Sequence, residues 1–96
     1  MEMSVGISAQ VSLYPLGQSD LGPAIEDFWR VLDDRGLEHE RGAMSTLVWG
    51  DDEEVFAALQ EGFRRAAERG ETVMVVTLSN ACPRQPLARQ SRSRPV

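Results

Sequence analysis

Apolar and polar residues alternate strictly from Ser4 to Tyr14, with Val5, Ile7, Ala9, Val11 and Leu13 on one side and Ser4, Gly6, Ser8, Gln10, Ser12 and Tyr14 on the other. A period of two over this length predicts a half-buried strand. Pro15-Leu16-Gly17 breaks the pattern, and Pro23 suits a first helical turn, where its missing N–H has no partner to lose. Leu21, Ala24, Ile25, Phe28 and Leu32 then recur every three or four residues, an apolar stripe along a helix, with Gly36 as its stop. Two short segments, Leu37 to Arg41 and Met44 to Trp49, flank Gly42-Ala43, a connection of hairpin length.

A second helix begins after Asp51, whose pairing with Glu54 three residues on is a variant of the capping box. Its expected buried stripe is Val55, Phe56, Leu59, Phe63, Ala66 and Ala67, with Gly70 as the stop. Thr72 to Ser79 is rich in β-branched residues and predicts a last strand, with Met74, Val76 and Leu78 on one face and Val73, Val75, Thr77 and Ser79 on the other. The order is βαββαβ. That order predicts an α+β, ferredoxin-like sandwich, a four-stranded antiparallel sheet with two helices on one face and the first and third strands central.

At 96 residues the chain has room for one core. We assign a single domain to residues 1–83 and expect residues 84–96, rich in arginine, serine and proline, to be a disordered tail. All 15 acids and six of the ten arginines lie before residue 83, so the body carries about −9 and the tail +4. An acidic body argues against a nucleic-acid face and favours a cationic or neutral ligand. Neither a secretory signal nor a membrane-length apolar run is present, and the expectation is a cytoplasmic protein.

The chemistry-bearing residues are sparse. Cys82 is the single cysteine and has no recognisable base, and His39 stands between Glu38 and Glu40 as an expected surface residue, so no metal site, cofactor site or catalytic set is expected. The acidic run Asp51 to Glu54 reads as a helix cap. Trp29, off the centre of its stripe, is either an interface residue or the edge of the core. What remains is the uncovered sheet face, where Gln10, Ser12 and Tyr14, Ser45 or Thr46, and Thr77, Ser79 and Asn80 are expected to meet. Such a face can simply be solvated, but Val73 and Val75 make part of it too apolar to stand open, which predicts sheet-on-sheet pairing with a polar pocket at its edge.

The stretches ISAQVSLYPLG, RGAMSTLVWGDDEEVFAALQEGF and VMVVTLSNACP, in register over residues 5–83, resemble the YkoF-like family that binds thiamine and hydroxymethylpyrimidine. The resemblance implies ferredoxin-like units joined through their sheets, hence a homodimer or dimer of dimers. It also implies a non-catalytic binding protein for thiamine or its pyrimidine portion in vitamin uptake or salvage. By resemblance the site falls on Gln10, Ser12 and Tyr14, on Met44, Ser45 and Thr46, and on Ser79, Asn80 and Ala81. Amide and hydroxyl side chains match an aminopyrimidine's mixed donors and acceptors, and Met44 or Tyr14 would cover the ring. The alternative is a homo-oligomeric regulatory or assembly module tuned by a different small ligand.

Overall fold

The computed structural model describes residues 4–17 and 20–81; Cys82 and the expected tail lie outside them. Six elements follow in order: β1 (Gly6–Pro15), α1 (Gly22–Asp34), β2 (Glu38–Arg41), β3 (Thr46–Asp51), α2 (Asp52–Arg69) and β4 (Thr72–Ser79). The sheet order is β2-β3-β1-β4, and every pairing is antiparallel. The two central strands are β1 and β3, as the ferredoxin-like arrangement requires.

The alternation in β1 does its expected work. Ile7, Ala9 and Val11 are buried against Phe28, Val31 and Leu32 of α1 and Val55, Ala58 and Leu59 of α2, while Leu13 is partly covered and Val5, outside the strand, is exposed. On α1 the stripe holds for Ala24, Phe28 and Leu32 and gains Val31, but Leu21 precedes the helix and is exposed. Gly36 takes a left-handed φ of 70° that a Cβ would strain, which ends the helix and lets the Leu37 N–H donate to Leu32 O.

On α2 the burial differs from the expected stripe. Val55, Ala58, Leu59, Gly62 and Ala66 are buried, whereas Phe56, Phe63 and Ala67 face outward. Small residues explain the shift: Gly62 lies against the Phe28 ring so closely that a methyl there would overlap it, and α2 therefore turns its small side toward α1. The large phenylalanines are left on the flank. Leu78 is likewise exposed, close to the end of β4.

Asp51 is the N-cap residue, yet its side chain makes no capping hydrogen bond. Asp52 instead ties strand to helix, its backbone N–H donating to Val5 O at 2.9 Å and its Oδ1 accepting from Val5 N at 3.1 Å. Two ion pairs cross between the helices, Arg69 to Asp27 at 2.7 Å and Arg35 to Glu61 at 3.0 Å. The hydrogen bond from Arg69 holds the Asp27 carboxyl below the usual range and raises Arg69, and the bond from Arg35 does the same to the Glu61 carboxyl. Among the described residues no helix is long and apolar enough to cross a membrane.

Candidate functional site

The site grows out of a mismatch in strand pairing. β4 runs beside β1 from Ser8 to Pro15, but β3 accompanies it only from Gly6 to Val11. Past Val11 one edge of β1 has no strand beside it. The β2–β3 connection fills that corner, and it spans residues 42–45 rather than the two expected from sequence, because β3 begins only at Thr46. Its closure rests on Gly42 N–H donating to Ser45 O at 2.8 Å.

Two residues of β1 touch this loop from the uncovered face of the sheet. Gln10 Nε2 lies 3.5 Å from Ser45 Oγ, and Ser12 Oγ donates to Met44 O at 3.4 Å. Beneath the loop, between sheet and α1, a cavity of about 260 Å³ opens. Val11 and Leu13 form its floor, Ile25, Phe28 and Trp29 its helical wall, and Tyr14 with Gly42 to Thr46 its rim.

Trp29 is the best-anchored part of that wall. Its Nε1–H donates to Thr46 Oγ1 at 2.9 Å, and the Arg41 guanidinium lies over its ring, 4.6 Å from the centroid. Such a cation–ring contact is worth about 0.5–1 kcal/mol at an exposed site. Arg41 is held in turn by Asp33 at 3.0 Å, and Asp33 also lies 3.4 Å from His39 Nε2. The other imidazole nitrogen, Nδ1, is 2.9 Å from Leu37 O. His39 is thus no free surface residue; on β2 it faces the same way as Arg41, and its side chain is only 11% exposed.

The residues expected at the site do not all come together. Tyr14, Met44, Ser45 and Thr46 line the cleft, and Gln10 and Ser12 hold its loop from the opposite face. Thr46 points away from the uncovered face, toward α1, where it is 5% exposed; it pairs with Val11 of β1 and Arg41 of β2, both on the helix side. Ser79 pairs with Ser8, four residues along β1 from Ser12 and so roughly 13 Å away. There Ser79 Oγ accepts from Ala81 N at 3.0 Å, and Asn80 is exposed, so Ser79, Asn80 and Ala81 form a turn remote from the cleft. Sequence reasoning missed Ile25, Phe28 and Trp29 as lining, since a wall that packs like core has the periodicity of core. The signal available was Trp29, an aromatic with a polar handle at the edge of its stripe.

The uncovered face itself carries Tyr14 opposite Val73 and Ser12 opposite Val75, and Tyr14, Val73 and Val75 are 46%, 45% and 51% exposed. Apolar residues therefore collect at the same end of the sheet as the cleft.

Chemically, the cleft is lined by aromatic side chains and by Tyr14, Ser45 and Thr46, whose hydroxyls are each able to donate or accept, that of Thr46 already accepting from Trp29. It suits a small flat ring with a few polar edges. Pockets for drug-sized ligands run to roughly 300–1,000 Å³, so this one is at the monocyclic end.

Residues 6–85 match the model of the YKOF-related family. Among curated proteins no match is found. The solved structures that resemble the chain include a hypothetical protein of Methanocaldococcus jannascii, with TM-score 0.77, 21% identity and coverage of 92% of this chain and 94% of that one. A Bacillus cereus domain of unknown function, DUF77, aligns with TM-score 0.75 at 16% identity over 95% and 92%. A protein of Thermotoga maritima described as a proposed thiamine biosynthesis/salvage protein aligns with TM-score 0.75 at 18% identity over 93% and 99%. At these identities the likenesses establish the fold.

Proposed function

The chain belongs to the YKOF-related family, and on that premise we propose that it binds, without transforming it, thiamine or the hydroxymethylpyrimidine portion of thiamine, in vitamin uptake or salvage. The observation that carries this reading is the cleft of about 260 Å³ between α1 and the β2–β3 loop, walled by Phe28 and Trp29 and rimmed by Tyr14 and Ser45. Its size suits one aminopyrimidine ring, with any second ring left at the mouth beside Met44, which is 81% exposed. The naming of one structural neighbour for thiamine biosynthesis or salvage points the same way. A net negative body is compatible with the cationic thiazolium as well as with the neutral pyrimidine. Exposed Tyr14, Val73 and Val75 support a homodimer closed through the sheet faces, next to the cleft.

A ligand that binds only the folded state raises the melting temperature with its concentration. Hydroxymethylpyrimidine and thiamine are expected to do so in a saturable way and to be recovered unchanged after prolonged incubation. Flat melting curves up to millimolar concentrations of both would sink the ligand assignment, and a recovered product would sink the non-catalytic one.

A further inference from the structure

The uncovered face of the sheet is not uniform. The end away from Tyr14 carries the cross-strand row Ser79, Ser8, Trp49 and Glu38, and Leu47 with Glu40 stands in the next row. Trp49 and Leu47 are half-buried on a face that no helix covers. Glu38 lies directly opposite Trp49 on β2 and Glu40 on the diagonal, while Asp51, exposed, shares the same side of β3 two residues on. Among the described residues the strands place no base on this face; the arginine of β2, Arg41, lies on the helix side over Trp29. An indole flanked by carboxylates on two strands is a surface for a cation, because the ring face and the acids attract the same charge.

The chain carries such cations a short way off. β4 ends at Ser79, in the same row as Trp49, and the sequence beyond holds Arg84, Arg89, Arg92 and Arg94 with no acid. From Ser79 to Glu38 the row crosses three strand spacings, about 14 Å, which roughly five extended residues span. We propose that residues 84–96 fold back across this end of the face, their guanidinium groups stacking on Trp49 and pairing with Glu38, Glu40 and Asp51. Arginine suits both contacts, since its planar group stacks on an aromatic ring while its N–H groups reach a carboxylate. Each exposed ion pair is weak, but a tether of this length presents its arginines at an effective concentration of about millimolar. The opposite end of the face, with Tyr14, Val73 and Val75, stays clear. The acidic body thereby meets its complement within the chain, and the arginines are drawn away from outside polyanions.

Trp29→Phe in the full chain leaves Trp49 as the sole tryptophan, and acrylamide quenching of its emission reads how well it is covered. Arg89→Glu, Arg92→Glu and Arg94→Glu together should raise the quenching constant at least about twofold, as should 1 M salt, where the screening length falls to about 3 Å. Glu38→Arg with Glu40→Arg should also expose Trp49, and this face reversal combined with the reversed segment should restore its protection, with circular dichroism checking the fold of each variant. A nitroxide on Ser93→Cys, in a Cys82→Ser background, should broaden the Trp49 indole N–H signal and keep doing so when the labelled chain is diluted into excess unlabelled chain. Quenching indifferent to both the segment's reversal and salt overturns the fold-back, and so does an unbroadened indole signal. Broadening that vanishes on dilution overturns docking within one chain. Failure of the combined reversals to restore protection overturns the pairing with Glu38 and Glu40.

Discussion

The two ends of β1 differ in what lies beside them. From Ser8 to Val11 the strand has β3 on one edge and β4 on the other, and just before it Val5 closes onto Asp52 through two hydrogen bonds. At the Tyr14 end β4 continues but β3 has not begun, and a four-residue loop stands in its place. Similar polar residues occupy both ends, Ser8 and Ser79 at one and Ser12 and Ser45 at the other, and the cavity beneath the loop opens at the second. Register offset, more than residue type, makes room for a ligand.

The sharpest break in this contrast is at Phe28, which serves core and cleft at once. Phe28→Ala should cost about 3–5 kcal/mol, read by urea denaturation, and abolish pyrimidine binding; a stable variant that still binds would separate cleft from core. Gly62→Ala ranks next. Alanine is the better helix former by about 1 kcal/mol, but the methyl must displace the Phe28 ring, and overpacking of that kind costs about 1–3 kcal/mol. A net loss of stability with weaker binding is expected, and a stabilised Gly62→Ala would show that the helices can move apart freely.

Trp29→Phe removes the N–H that donates to Thr46 and leaves a smaller ring under Arg41, at a cost of about 1 kcal/mol. In a Trp49→Phe background the remaining Trp29 emission should respond to ligand; a silent signal would move the site away from this wall. Acid should matter modestly and in one direction. The Asp27 carboxyl is held below its ordinary range by Arg69, so its contribution is present above the unfolded aspartate range and lost as pH falls through the lower folded value. Asp27→Asn should flatten that acid limb of the stability curve, and an unaltered limb would assign it elsewhere. Smallest of all is Asn80→Ala at the far end, where stability should change by less than about 0.5 kcal/mol and affinity not at all; a weakened complex would return the Ser79 to Ala81 turn to the site.

Much of this was legible in the alternation of β1 and the stripe of α1, because period and burial are linked directly by geometry. Phe56 and Phe63 carry the size and spacing of buried residues in the sequence; the closeness of Gly62 to Phe28 that turns them outward is a tertiary fact. The sequence offers Ser45 or Thr46 for the uncovered face because their parity depends on where β3 starts, and a loop of two residues instead of four leaves that start ambiguous. The cleft was not legible at all as a cleft. Ile25, Phe28 and Trp29 obey the same spacing whether the sheet beyond them is complete or short of a strand.

The unmatched stretch of β1 also has a kinetic meaning. In an antiparallel strand alternate amides point to opposite edges, so part of the backbone between Ser12 and Pro15 faces the loop and not a neighbouring strand. Local opening is cheapest where such ladder bonds are missing. Hydrogen exchange should therefore be faster there than between Ile7 and Val11, and slow on ligand addition. The corner that gives the cavity its space would then also be the hinge through which a ring enters and leaves.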